Sequence, residues 1–404
     1  MRFVYVVSQY PARSETFIAR EMQQLVDAGH EVDILRMRWS DTRDGLRVTG
    51  ARVSPVLIGP RALTRGLSHA LGNRPWHAVR ILKSLLGSET RLGIRVRLLG
   101  VWLAMLSGRA WLNGRSVDHI RAHLVDMEAA GAWCLSQITD RPFSITAQTT
   151  TCRLDETLMR RILRAASVGV ATTDQTSQWL THWRDDRPVV TVRSGLPVTD
   201  VEQRVPDRPG ETFRVLAVGR LIPKKGFDLL LRACNRLLQN GVNLRLDVYG
   251  EGPERERLKT IASRLTAPDR IHLHGAATYD TVRAAYADAD VLVMPSRRDP
   301  ETADKDGLPN VLIESAAAMC PVIGTPIGGI TDLVRDGETG LIVAPEDVDA
   351  LVQGLRNVLG EYGAALRRAA RARQIVEDRY CLETEVSRLV TAVQHVVDHA
   401  HPGA

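Results

Sequence analysis

The 404-residue chain has no apolar run approaching the roughly 20 residues that cross a bilayer as a helix; its longest, 98–106, has nine. Its five cysteines, at 134, 152, 234, 320 and 381, form no close pair and no metal-ligand spacing. Their odd number fits thiols in a reducing compartment. No GxGxxG follows the first apolar strand pattern, which counts against a dehydrogenase. Phosphate loops of the P-loop type, a GxSxG elbow and zinc-type arrays of His and Cys are also missing. There is no finger spacing and no stacking-aromatic module, so no nucleic-acid partner is expected. The opening MRFVYVVSQYP lacks the basic start and cleavage site of a signal peptide. A cytoplasmic location, at the inner face of the plasma membrane, is therefore expected. No internal repeat or low-complexity segment stands out.

What remains is the composition of an ordinary globular protein: 44% hydrophobic and 25% charged residues. The length suits two domains of roughly 200 residues each. Residues 2–7 read as a buried strand, 15–28 as a helix with Ser14 as N-cap and Glu15 in its first turn, and 32–37 as a second strand. Strand, helix, strand with short links is a βαβ unit, and such units build a doubly wound parallel sheet. The alternation pauses at 197–212, where three prolines and four acids replace large apolar residues and mark a linker. It restarts with strand 214–218 and continues through strands at 244–249, 271–274, 291–294, 322–323 and 341–343. Two such domains, each with ligand-binding loops at the carboxyl ends of its strands, are the expected architecture.

The net charge of +6 is unevenly spread. Residues 61–117 contain ten Lys and Arg and a single acid, Glu89. The segment is helical by pattern, with Trp76, Val79 and Leu82, and later Leu98, Leu99 and Trp102, interleaved with Arg80, Lys83, Arg91, Arg95 and Arg97. Two readings fit: a solvated helix face with snorkelling stems, or a surface lying on anionic lipid.

Residues 295–332 hold the densest chemistry. Asp306 precedes Gly307, Leu308, Pro309 and Asn310, and Glu314 follows eight residues after the first acid. Pro309 suits the start of a helix, and the apolar spacing of 311–317 carries that helix on. Backbone N–H groups at such a start attract phosphate, whereas two carboxylates would repel it. The combination fits a ligand that carries both phosphates and hydroxyls, as a nucleotide sugar does. At the end of strand 214–218 stand Gly219, Arg220 and Lys225, where the glycine permits close backbone approach and the cations suit a diphosphate. Gly250 and Glu251 sit in another strand-end turn. His272 and His274 share one face of a strand, a place where histidines more often pack than ligate.

These motifs resemble the family 4 glycosyltransferases of the GT-B fold, which transfer a sugar from a nucleotide donor with retention of configuration. The resemblance is carried by VGRLIPKKGFDLLL, VYGEGPERERL, IHLHG, ADADVLVMPS and DGLPNVLIESAAAMCPVIGTPIGGITDLV, and by the SETFI start at 14–18. It is strongest over 213–345 and nearest to the branch that assembles exopolysaccharide, colanic-acid-like polymers and O-antigen. It implies a Rossmann-like acceptor domain over 1–196, a linker at 197–212, a donor domain over 213–375, and a C-terminal helix within 376–404 that packs back on the first domain. It further implies that Arg220 and Lys225 bind the donor diphosphate, that Asp306, Gly307 and Leu308 contact sugar and phosphate, and that Glu314 holds the ribose. Gly219, Gly250, Glu251, His274, Pro309 and Asn310 belong to the implied donor site. Ser14, Glu15, His123 and Gln148 belong to the acceptor and donor-sugar side. No metal or cofactor is expected beyond the nucleotide-sugar substrate. The partners expected are a saccharide acceptor, lipid-linked, and an anionic membrane touched through 61–117.

Three departures from the family pattern stand out. The first acid is Asp306 rather than glutamate. The Thr-Ala-His of the first domain reads Thr146-Ala147-Gln148, and the HAHF-like stretch reads Arg121-Ala122-His123-Leu124. They keep two alternatives open: a catalytically silent nucleotide-sugar-binding partner of an assembly complex, and a nucleotide-sugar epimerase.

Overall fold

The computed structural model describes the chain except residues 13–14, 39–44, 58–63, 65, 67, 69–74, 113, 186, 198–209, 299–306 and 401–404. Two compact units result, one from residues 1–195 with 382–404 and one from 196–381.

The first unit alternates strand and helix except between Arg38 and His119, where a short strand and two helices follow one another. β1 (Arg2–Gln9), α1 (Thr16–Asp27), β2 (Glu31–Arg38) and β3 (Arg52–Val53) are followed by α2 (Pro75–Leu86) and α3 (Leu92–Leu112). Then come β4 (His119–His123), α4 (Met127–Thr139), β5 (Phe143–Ala147), α5 (Glu156–Ala165), β6 (Val168–Ala171), α6 (Asp174–Arg184) and β7 (Val189–Thr191). The strands form one parallel sheet in the order β3-β2-β1-β4-β5-β6-β7. Phe3 to Val6 are wholly buried, as a parallel strand covered by helices on both faces must be. One face packs on α2 to α5. The other packs on α1 and on the last helix of the chain.

The second unit repeats the plan with β8 (Phe213–Val218), α7 (Phe227–Gln239), β9 (Leu244–Tyr249), α8 (Arg255–Ser263), β10 (Ile271–Gly275) and α9 (Tyr279–Asp288). β11 (Val291–Met294), α10 (Asn310–Ala317), β12 (Val322–Gly324), β13 (Leu341–Ile342), α11 (Val348–Gly360) and α12 (Tyr362–Arg379) complete it. Its parallel sheet has the order β10-β9-β8-β11-β12-β13. In both sheets the strand order reverses beside the first strand, and ligands of doubly wound sheets bind at that point, outside the carboxyl ends. The chain returns to the first unit at 382, where α13 (Leu382–Ala400) packs on α1 and β6.

Some elements differ from those read in the sequence. Residues 147–167 carried no expected element, yet α5 is there. Asp155 caps it by accepting the N–H groups of Thr157 and Leu158, and Leu158, Met159, Ile162 and Leu163 form its buried stripe. The cap and the spacing are both plain in the sequence. At α1 the N-cap position falls to Glu15, which makes no side-chain capping bond, while Ser14 lies outside the described residues. Most of the expected linker, 198–209, lies outside them as well.

Candidate active site

In the second unit every candidate loop leaves the carboxyl end of a strand. After β8 the chain passes Gly219 and Arg220 into a 3-10 turn, Pro223–Lys225, closed by Gly226 in the left-handed region at φ +66°. A Cβ on Gly226 would lie 2.0 Å from the carbonyl oxygen of Pro295, so only glycine lets this loop meet the end of β11. A Cβ on Gly250 would lie 1.8 Å from the carbonyl oxygen of Gly219, so the turns after β8 and β9 are in direct backbone contact. Gly219 N–H donates to Tyr249 O at 3.0 Å and Leu221 N–H to Glu251 O at 2.8 Å. Lys225 is buried at 8% exposure, with its aliphatic stem against Gly219, and Arg220 is exposed. A buried lysine beside an exposed arginine offers one fixed and one mobile cation at the same strand end.

A second set of bonds ties the neighbouring strand end to this loop. Arg297 donates widely: its backbone N–H goes to Lys224 O at 2.9 Å and its Nε to Pro223 O at 2.9 Å. Its guanidinium lies 3.3 Å from the buried carboxylate of Asp228, which Arg257 also approaches at 3.3 Å. One residue back, Ser296 O accepts from Thr325 Oγ1 at 2.5 Å, joining the ends of β11 and β12. Beyond β12, a Cβ on Gly329 would lie 2.5 Å from Leu308 N, so the 328–329 turn packs on the backbone entering α10. Contact by contact, the loops after β8, β9, β11 and β12 form one rim.

α10 begins at Asn310 with Pro309 in the N-cap position and no side-chain cap. Leu312 N–H bonds back to Pro309 O at 3.0 Å, and no side chain among the described residues caps the N–H groups of Asn310 and Val311. Glu314 sits one turn in, 7% exposed, and accepts from Tyr286 Oη of α9 at 3.1 Å. Burial and the nearby carboxylate push the Tyr286 phenol well above its usual range, so it stays a donor. Asp306 lies outside the described residues. Glu251 accepts from Arg255 and from Ala276 N–H. His274 Nε2 lies 2.6 Å from Asp247 Oδ1, and its ring stacks on Tyr249 at 4.4 Å. Among the described residues no group of three or more His, Cys, Asp or Glu is placed to hold a metal ion.

The first unit holds a buried charge cluster at the equivalent strand ends. Arg121 on β4, fully buried, donates Nε and a terminal nitrogen to the two oxygens of Glu21 at 2.6 and 2.8 Å. Tyr5 Oη donates to Glu21 Oε1 at 2.6 Å, and His123 Nε2 lies 3.0 Å from the same oxygen. The guanidinium holds the Glu21 carboxyl far below its usual range despite burial, while burial pulls the His123 imidazole down. A neutral imidazole beside an ionised carboxylate donates from Nε2, which leaves the lone pair on Nδ1. His123 Nδ1, Thr146 Oγ1 and Gln148 Nε2 are buried with no partner among the described residues. All three residues line one narrow pocket, together with Phe17, Arg193 and Glu385 of α13.

Sequence reasoning brought His123 and Gln148 forward but missed Glu21, Tyr5 and Arg121 as a set, and also Arg297, Asp228 and Tyr286. One signal was available: Glu21 interrupts the apolar face of Phe17, Ile18, Met22 and Leu25, and Arg121 interrupts a buried strand. Two opposite charges in two apolar stripes are best explained as each other's partners.

Residues 198–375 match the protein family Glycosyl transferases group 1. The chain is 25% identical to WcaL of Escherichia coli (strain K12), assigned as a colanic acid biosynthesis glycosyltransferase, over 88% of this chain and 90% of that one. It is 31% identical to the GDP-mannose-dependent alpha-(1-6)-phosphatidylinositol monomannoside mannosyltransferase of Mycolicibacterium smegmatis, over 50% of this chain and 53% of that one. The fold is similar to that of sucrose-phosphate synthase from Thermosynechococcus elongatus, with a TM-score of 0.76 at 18% identity and coverage of 98% and 99%. The two parallel-sheet units are those of the GT-B fold.

Proposed function

We propose, from the premise that residues 198–375 form a Glycosyl transferases group 1 domain, that the protein is a glycosyltransferase of surface polysaccharide assembly. It moves a sugar, with retention of configuration, from a nucleoside-diphosphate donor to a hydroxyl of a lipid-linked saccharide. The observation that carries this reading is the rim of the second unit: the cationic Gly219–Gly226 loop meets the end of β11, Thr325 joins that end to β12, and the turn after β12 packs on the backbone entering α10. The GDP-mannose dependence of the mycobacterial relative and the colanic acid role of the E. coli one support the donor and pathway class.

In this reading Arg220, Lys225 and the N–H groups at the start of α10 meet the diphosphate. They stabilise the charge that develops on it as its bond to the anomeric carbon breaks. Glu314, steadied by Tyr286, accepts from ribose hydroxyls, and Asp306 and the Gly307–Leu308 backbone contact sugar and phosphate. The acceptor oxygen bonds to the anomeric carbon on the face the diphosphate leaves, and its proton passes to the departing phosphate oxygen. No protein base is then required, and the step needs no metal. Gln148 serves as a hydrogen-bonding group in place of an imidazole. His123 Nδ1, a lone-pair acceptor, suits a sugar hydroxyl.

Arg220→Ala and Lys225→Ala are each expected to lower kcat/KM by roughly 3 kcal/mol, about 150-fold, the scale of losing one preorganised donor to a developing anion. Nucleotide release measured against a donor and acceptor panel checks this, and wild-type transfer by the double variant would sink the scheme. Tight nucleotide-sugar binding with no turnover under any acceptor would favour the silent partner, a reading that the Gln148 departure motivates. Conversion of the donor sugar without acceptor would identify an epimerase.

A further inference from the structure

Among the described residues, seven large hydrophobic side chains are exposed, and five of them lie on α2 and α3. They are Trp76 at 84% and Val79 on α2, with Leu92 at 76%, Val96 at 62% and Leu99 on α3. The exposed positions follow helical spacing. On α2 they are 76, 79, 80 and 83; on α3 they are 92, 93, 95, 96, 97 and 99, of which 92, 95, 96 and 99 continue the stripe. Each helix therefore has two apolar stripes. The inner one is already used: Ala78, Ile81 and Leu85 of α2 meet Leu98, Val101 and Met105 of α3 in the first core, and Trp102 Nε1 donates to Ala78 O at 3.1 Å. The outer one has no cover from the described residues.

The charges on the outer stripe are all of one sign. Arg80, Lys83 and Arg95 stand within it, and Arg97 is exposed beside it. Glu89, the single acid of 61–117, does not offset them. Its side chain is wholly buried in the turn between the helices, where Arg91 donates to both of its oxygens at 2.8 Å and Asp155 N–H donates at 3.1 Å. Those bonds hold its carboxyl down at about 2. They also fasten the turn to the body of the unit, so the two outer faces are presented from a rigid support.

Apolar side chains projecting between cations, with no acid among them, fit an interface with headgroup phosphates above and acyl chains below. An acidic protein surface would suit the cations but not Trp76 and Leu92. A nucleic acid would likewise leave the aliphatic side chains without a partner. No helix among the described residues is long and apolar enough to cross a membrane, so this contact is a surface one. We propose that the outer faces of α2 and α3 dock on an anionic lipid surface. Trp76, Leu92 and Val96 enter the headgroup–acyl boundary, and Arg80, Lys83 and Arg95 meet lipid phosphates. This assignment stands apart from the donor chemistry of the second unit and survives if that chemistry is wrong.

The test uses the full chain and flotation with vesicles of phosphatidylcholine alone or mixed with phosphatidylglycerol. Binding is expected to the anionic vesicles at low salt, with release at high salt. Each basic residue near such a surface contributes about fivefold, from roughly 1 kcal/mol per charge. Removing two charges, as in Lys83→Gln with Arg95→Gln, is thus expected to weaken binding about 25-fold. Trp76→Ser with Leu92→Ser is expected to weaken binding to the anionic vesicles at low salt while leaving its dependence on salt in place. Both pairs alter exposed side chains, and an unchanged thermal midpoint verifies folding. Equal affinity for both vesicle types, or wild-type binding by both pairs, overturns the proposal. So does a wild-type oligomer that Trp76→Ser converts to monomer without lipid, which would make a second copy the occupant.

Discussion

Glu21 receives three donors on one oxygen and a fourth on the other, and all of them come from side chains buried in the first unit. Its charge is what allows Arg121 to sit at zero exposure. Glu21→Gln would leave that guanidinium without a counter-charge, and the expected cost is about 3–5 kcal/mol of stability, read by urea denaturation. Replacing Arg121 and Glu21 together by apolar residues should recover much of the loss, since the pair repays a desolvation penalty that the apolar pair never incurs. His119, two residues before Arg121, is also fully buried. Burial and the neighbouring guanidinium pull its pKa down to about 3, and its Nε2 lies 2.8 Å from Ser144 Oγ. The native imidazole is neutral where the unfolded one, with a pKa of about 6.5, takes up a proton. Stability is therefore lost as pH falls below about 6.5, by roughly 1.4 kcal/mol per pH unit from this group, until the native pKa is reached. The difference between wild type and His119→Asn, followed from pH 7 to 5 by denaturant titration, should show that slope disappear.

At the scale of elements, the second unit's site is a set of loops that touch backbone to backbone. The Gly219–Gly226 loop leans on the end of β11 and on the turn after β9, and neither contact leaves room for a Cβ. Gly226→Ala is expected to cost about 2–3 kcal/mol or more, since it adds a left-handed alanine to a steric clash. It should also weaken nucleotide binding, because Lys225 precedes it. Calorimetric titration of a nucleoside diphosphate against the refolded variant separates the two effects. Arg297 acts on the same loop through the carbonyls of Pro223 and Lys224 and through Asp228. It is a positioning residue: its replacement should raise the donor KM more than it lowers kcat.

For the whole molecule, the two units are separate cores with separate strand-end sites, joined by the chain at 195–196 and again at 381–382. A ligand that binds only the folded second unit stabilises it by about 2.7 kcal/mol at a hundredfold excess over Kd. A thermal-shift screen of uridine and guanosine diphosphate sugars should raise the melting of that unit selectively. A shift confined to the first unit would remove the premise that 198–375 holds the donor.

Much of this was legible in the chain itself. The parallel α/β plan followed from apolar runs separated by amphipathic stretches, and the strand-end loops followed from glycines and cations placed just after those runs. Both signals are local, since a strand period, a cap or a required glycine depends on a few adjacent residues. The tertiary structure decided what local pattern cannot carry. Glu21 and its partners Arg121 and His123 lie 100 and 102 residues apart in sequence, and nothing short of the folded sheet brings them together. The helices of 75–112 carry apolar residues on two faces. Periodicity counts those faces without saying which one the core will cover, because burial is a property of the neighbours that arrive from elsewhere in the chain.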